Sequence, residues 1–183
     1  MGIFNRLANS IFRIATGDPK KRWLYTPLVA FLFMCFLALF FIGAYFTDRW
    51  LNLPSISYPP WTVIAGLVLL VPGLIIYALT CLQFGKARGT PAPVNPPKEL
   101  VTSGLYAYCR NPMISGIFLM MFGAGLLMGS LSFTAFFAPL FVLALYLEAS
   151  KIEEKEMELK FGQPYLEYKQ KVPMFFPRLS KNR

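Results

Sequence analysis

The chain has 183 residues, 56% of them hydrophobic and 15% charged, with a mean hydropathy of +0.50 and a formal net charge of +9. That composition excludes an ordinary soluble domain and points to a membrane protein. Histidine is absent, which removes the commonest general base and metal ligand together.

In chain order, Ile3, Phe4, Leu7, Ile11 and Ile14 recur at helical spacing, with Arg6, Asn9, Ser10 and Arg13 between them. This predicts an interfacial amphipathic helix within residues 1–22. No small-x-small cleavage site follows the next apolar run, and Arg6 stands where a myristoylation signal has Ser or Thr, so neither a cleaved signal nor lipidation is expected. Charge-free apolar runs then cover residues 24–47, 61–85 and 111–147, against a need for about 20 residues per membrane-spanning helix. The last run is roughly twice that length. The string Gly129-Ser130-Leu131-Ser132 divides it into Pro112–Met128 and 133–147. The predicted fold class is therefore all-α: a polytopic membrane protein with four transmembrane helices, a cytoplasmic cofactor-binding loop and a C-terminal tail. It forms a single membrane domain over 1–183, with two N-terminal spans in 24–84 and a core in 85–183.

All but one of the 18 basic residues fall before the first span, between the second and third, or after the last; Arg49 is the exception. The positive-inside rule then places both termini and the central loop in the cytoplasm. Topology and anionic headgroups account for the +9 charge, so no nucleic-acid partner is required. The short chain and the lack of a retention signal suggest a bacterial inner membrane. Cys35 and Cys81 lie in spans, Cys109 lies beside Arg110, and no CxxC pair exists, so the thiols are expected to be inert and no zinc site is indicated.

Three segments carry the candidate chemistry. Residues 85–103 contain Pro91, Pro93, Pro96 and Pro97 with Gly85 and Gly89. They form a stiff extended path, either a lid over a cofactor or a plain spacer. Arg110-Asn111-Pro112-Met113 reads as a helix start, with Asn as N-cap and Pro as first residue. The positive end of the dipole there, with Arg110 beside it, makes an anion site, and Ser115 and Gly116 allow close approach. In the charged patch 151–160, Lys151/Lys155 and Glu156/Lys160 are i,i+4 partners, so part of it is a solvated helix leaving the bilayer. A helix over 133–160 is about 42 Å long against a core of about 30 Å, so roughly two turns project. Glu153 and Glu154 cannot share one face of it. One is expected to point into the bundle at a cationic ligand. Beyond lie Tyr165, Tyr168, Val172, Pro173, Phe175 and Phe176, interleaved with Lys169, Lys171, Arg178 and Lys181, an interfacial anchor by composition.

Taken together, Leu100-Val101-Thr102-Ser103-Gly104-x-Tyr106-x-x-x-Arg110-Asn111-Pro112-Met113, a helical hairpin, and Glu153-Glu154-x-x-Met157-x-x-x-Phe161-Gly162-x-x-Tyr165-x-x-Tyr168-x-x-x-Val172-Pro173 resemble the integral-membrane methyltransferases. These include isoprenylcysteine carboxyl methyltransferase and, more distantly, phosphatidylethanolamine N-methyltransferase. The resemblance implies S-adenosylmethionine on the cytoplasmic side and a lipid or amphipathic acceptor. It assigns Lys98, Glu99, Leu100, Val101 and Tyr106 to the cofactor lining, Asn111, Pro112, Met113 and Ile114 to contacts at the helix start, and Glu153 to the cofactor's amino group. Arg110 and Glu154 are the residues expected in the chemistry, Arg110 near a carboxylate and Glu154 as a proton acceptor. Asn111, Ile114 and Ala149 depart from the isoprenylcysteine pattern, which has His, Tyr and Arg there. The competing expectations are a membrane reductase binding a nicotinamide cofactor and a non-catalytic lipid-binding protein.

Overall fold

The computed structural model describes residues 3–87 and 99–175. Among them all regular structure is helical: α1 (Ile3–Thr16), α2 (Pro19–Trp50), α3 (Trp61–Lys86), a one-turn 3-10 helix (Gly104–Ala107), α4 (Pro112–Met128), α5 (Phe133–Phe161) and α6 (Gln163–Lys171). The proline-rich part of the central loop, Lys98 in it, and the tail beyond Phe175 lie outside the described residues.

Three helices are long and apolar enough to cross a membrane, over Lys20–Trp50, Trp61–Lys86 and Phe133–Phe161. The chain is an integral membrane protein. At 17 residues, α4 is about 26 Å long, shorter than the three. Its bounds match the sequence prediction. The break after it falls on Gly129, whose φ of 63° is left-handed backbone that costs a Cβ-bearing residue. The last span does continue into the charged patch as one helix. Two wider turns interrupt it: Ala138 N–H donates to Phe133 C=O, and Glu154 N–H to Ala149 C=O, each five residues back. Nothing in the sequence pattern announces them.

Helices α3 and α4 pack antiparallel along a stripe of glycines. A Cβ added at Gly73 would sit 2.7 Å from the Gly116 carbonyl oxygen, and one at Gly123 would sit 2.8 Å from that of Gly66. Both pairs are seven residues apart, so each recurs on one face after two turns, and the backbones come into direct contact with the Leu127 and Met120 side chains packed beside them. Against α5 the packing is aromatic. Ala44, Met121, Phe133, Ala138, Phe141 and Leu145 form the buried core, with Phe41 and Phe133 rings 4.5 Å apart and Phe40 and Phe141 5.0 Å apart.

A polar latch closes the end where Arg49 lies. Ser130 Oγ donates to the Asp48 carboxylate, whose Oδ1 also accepts from Ser132 N–H at 3.0 Å, so the end of α2 caps the start of α5. Gly129 C=O accepts from Ile56 N–H at 2.9 Å and Ser55 Oγ at 3.1 Å, tying the segment before α3 to the same turn. Helix α1, formed as expected, lies along the last turns of α5 at the opposite end.

Candidate active site

At that opposite end the close of α3, the 3-10 turn, the start of α4, the close of α5 and helix α6 come together. The chain after α6 folds back across the start of α4: Arg110 N–H donates to Pro173 C=O at 2.8 Å and Asn111 N–H to Met174 C=O at 2.9 Å. Ser115 Oγ adds 3.0 Å bonds to the carbonyls of Asn111 and Phe175. Asn111 holds the expected N-cap position but its side chain makes no capping bond, and the returning segment satisfies only the Arg110 and Asn111 N–H groups ahead of the first turn. The first turn of a helix has no internal acceptor for its N–H groups, so an anion at this helix start would draw on those of Met113 and Ile114.

An ion cluster holds this crossing. Arg110 pairs with Glu154 through Nη2 and donates from Nη1 to the Lys169 carbonyl at 2.7 Å and the Val172 carbonyl at 2.6 Å. Lys169 Nζ lies 2.7 Å from Glu154 Oε2 and 2.8 Å from Glu158 Oε1. The side chains of Arg110 and Glu154 are each only 10% exposed. Burial works against the charge of Lys169, but its bonds to Glu154 and Glu158 outweigh that and keep its pKa above the ordinary lysine value. One donor stays over: Arg110 Nε is buried and has no hydrogen-bond partner among the described residues.

Glu153, next to Glu154, points elsewhere. It is half-buried at the end of the second wide turn, and its charge is felt by the buried phenol of Tyr106. Burial first, and Glu153 second, push the Tyr106 pKa up, so the phenol keeps its proton. Tyr106 is held by a 2.7 Å bond from the Tyr168 hydroxyl to its carbonyl and by the Phe84 ring at 5.6 Å. Burial also raises the pKa of the Cys109 thiol, more than its bonds with Ser115 and Asn111 lower it, in keeping with an inert cysteine.

The structure thus brings Tyr106, Arg110, Glu153 and Glu154 to one end of the bundle with the first turn of α4. Pro112 is fully buried, Asn111 and Met113 are half-buried, and Ile114 packs against the core. Leu100 and Val101 are half-buried and Glu99 is exposed. Lys169 read as part of an interfacial anchor and Val172 as part of the resemblance motif, and neither had a signal for its partner; both complete the cluster around Arg110 from about 60 residues away. The group of three or more Cys, Asp or Glu that a metal would need is absent among the described residues.

Residues 61–164 match the phospholipid methyltransferase family, more than half of the chain. The chain belongs to that family. Among curated relatives it is 38% identical over 84 residues to the cobalt-zinc-cadmium resistance protein CzcN of Cupriavidus metallidurans, covering 46% of this chain and 38% of the relative. It is 35% identical over 78 residues to the protein-S-isoprenylcysteine O-methyltransferase of Schizosaccharomyces pombe (43% of this chain, 33% of the relative), and 27% over 126 residues to that of Rattus norvegicus (68% and 44%). The chain therefore spans about two fifths of the length of these relatives. A solved structure of the eukaryotic intramembrane Ras methyltransferase ICMT shares the fold, with a TM-score of 0.55 at 21% identity over 91% of this chain and 58% of that one. As a phospholipid methyltransferase family member the chain carries its Arg110-to-Glu154 pairing inside the matched region, while Lys169 and Val172 lie beyond it.

Proposed function

We propose that the protein is an S-adenosylmethionine-dependent membrane methyltransferase with four spans and both termini in the cytoplasm, acting on an acceptor that arrives from the bilayer. Family membership supports the reaction class and does not favour the nicotinamide or lipid-binding readings. The observation that carries the site is the orphaned, buried Nε–H of Arg110 at the start of α4, with Glu153 facing the same end of the bundle. A buried donor without an acceptor is costly, so a ligand carboxylate there recovers a bond the protein leaves unmade.

The donor set fits the cofactor. Arg110 Nε and the Met113 and Ile114 N–H groups would take its carboxylate, Glu153 its ammonium, and Tyr106 would line it, together with the expected Lys98, Glu99, Leu100 and Val101. When bound, it supplies an electrophilic methyl on a sulfonium. Glu154 has both oxygens occupied by cations, so in this reading it positions Arg110 and leaves proton transfer to other groups. The residues orient the reacting pair at about 3 to 3.5 Å in a water-poor cleft, which supplies much of the acceleration without acid or base catalysis.

Calorimetric titration of the detergent-purified protein with S-adenosylmethionine and its demethylated product tests this, beside Glu153→Ala and a nicotinamide control. Binding of both methyl-donor forms, lost in the variant, is expected. A well-folded protein that binds neither sinks the proposal, and a nicotinamide that binds in their place supports the reductase.

A further inference from the structure

The end of the bundle where Arg49 lies carries a cavity of about 240 Å³, open on one side, between the end of α2 and the turn after α4. Tyr45, Asp48, Arg49 and Ser55 give it polar groups, and Leu53 and Met128 are among its apolar walls. From Phe133, beside this turn, to Glu154 the helix α5 runs about 30 Å at 1.5 Å per residue, so the cavity is remote from the candidate active site.

Arg49 has no counter-ion here. Asp48, the next residue, is the one carboxylate at this end, and the latch engages it: Ser130 Oγ donates to one oxygen and Ser132 N–H to the other. No salt bridge joins Arg49 to a carboxylate among the described residues. Its guanidinium lies over the Tyr45 ring instead, 5.2 Å from the centroid. Stacking uses the flat face of the group and leaves the N–H donors, which radiate in its plane, for an acceptor. Arg49 is also the only Lys or Arg between Arg22 and Lys86, and the stretch 111–150 has none, so it is the single positive charge at this end.

Aromatic residues set the depth of the cavity in the bilayer. Trp50, Tyr58 and Trp61, at the end of α2 and around the start of α3, are strongly exposed. Trp and Tyr in such places lie at headgroup level, which is where lipid phosphates are. The volume is below the roughly 300–1,000 Å³ of sites that enclose a drug-sized ligand, so it suits a headgroup and leaves acyl chains outside.

We propose that this cavity binds the phosphodiester of a bilayer glycerophospholipid, with the Arg49 guanidinium as its bidentate partner. Ser55 Oγ donates to Gly129 C=O at 3.1 Å and keeps lone pairs to accept from a headgroup hydroxyl. The lipid bridges the end of α2 to the turn between α4 and α5, where the Asp48 latch joins the same parts through protein groups. It is a structural lipid, separate from any methyl acceptor.

The test uses the full-length protein in detergent with Trp23→Phe and Trp61→Phe, both exposed positions, so that Trp50 beside Arg49 is the one tryptophan left to report. Its emission is followed during titration with dioleoylphosphatidylglycerol, which has no amine, with dioleoylglycerol, which has no phosphate, and with inorganic phosphate. The phospholipid alone is expected to saturate the signal. Its half-point is expected to rise about tenfold in Arg49→Gln, less in Arg49→Lys, and not at all in Arg13→Gln at the far end of the bundle. Thermal unfolding of each variant, expected to match the parent without lipid, separates lost binding from lost folding. An unchanged half-point in both Arg49 variants overturns the proposal. Dioleoylglycerol binding equally well removes the phosphate from it, and inorganic phosphate saturating at the same concentration removes the lipid; either result refutes it.

Discussion

The α3–α4 seam and the Arg110–Glu154–Lys169 cluster both tie distant parts of the chain to α4, by opposite means. The seam holds backbone against backbone through Gly66, Gly73, Gly116 and Gly123. The cluster holds side chains against side chains and carbonyls at the edge of the bundle. In lipid, hydrophobicity does not drive helices together, so close approach and dispersion must do so, and glycine is what permits it. At the end of the bundle, two short segments have too little apolar surface to dock, and ion pairs with buried carbonyl bonds take over. A seam of that kind fails by steric insertion; a cluster fails by losing one charge.

The largest expected effect follows from insertion. Gly116→Leu drives a branched side chain into the Gly73 carbonyl and the Tyr77 backbone, where even a Cβ would lie 2.8 and 3.2 Å away, and the α3–α4 pair is expected not to form. Gly116→Ala, the milder form, is expected to cost about 1–3 kcal/mol. Gly85 sits in α3 with nothing within 4 Å of its would-be Cβ, so Gly85→Ala is expected to be neutral or slightly stabilising. Thermal unfolding in detergent, followed by tryptophan fluorescence, ranks the three. Equal losses at Gly116 and Gly85 would show that helix propensity matters here and the seam does not.

Charge removal comes next. Glu154→Ala leaves Arg110 and Lys169 without their shared carboxylate in a site only 10% exposed, and is expected to cost about 3–5 kcal/mol. Replacing both partners, as Arg110→Met with Glu154→Leu, should recover most of that stability while abolishing cofactor affinity, because the orphaned Nε–H goes with the arginine. A double variant as unstable as Glu154→Ala would show that the carbonyl bonds from Arg110 to Lys169 and Val172 matter more than the ion pair.

These two regions also differ in how far they could be read from the sequence. The helix starting at Pro112, the break at Gly129 and the emergence of α5 into the charged patch follow from Pro, Gly and hydropathy, which act locally. The glycine pairs were visible as residues seven apart on each helix, a spacing that goes unnoticed when apolar runs are scored by hydropathy alone. The cluster around Arg110 was half legible: Arg110 and Glu154 stood out as charges at span ends, but their partnership depends on how α4 and α5 pack, and Lys169 joins only because the chain turns at Gly162 into α6. The wide turn at Ala149–Glu153 had no signal, since its Ala, Ser, Lys, Ile and Glu suit an ordinary helix.

A smaller effect tests the latch at the other end. Asp48→Ala removes the acceptor for Ser130 Oγ and Ser132 N–H and uncaps α5, which is expected to cost about 0.5–2 kcal/mol with cofactor affinity unchanged. Titration of the same protein with S-adenosylmethionine checks the second half of that statement. Lost affinity would mean that α5 transmits strain along its whole length to the candidate site.

The smallest effect is electrostatic, and its sign is fixed. Lys169 has a higher pKa in the folded protein than in the unfolded chain, because its bonds to Glu154 and Glu158 favour the charged form. Its contribution to stability is therefore fully present below the unfolded lysine value, about 10.4, and is lost as pH rises through the folded one. Tyr106 and Tyr168, whose pKa values are raised chiefly by burial, slope the same way, so the wild-type curve alone does not isolate the lysine. The informative quantity is the difference in melting temperature between wild type and Lys169→Met. That gap is expected to be constant from neutral pH to about 10 and to close as pH rises beyond the unfolded lysine value, since the variant has no charge left to lose. A gap that persists at high pH would mean that Lys169 holds α6 by packing of its chain, and that the cluster is ionic only between Arg110 and Glu154.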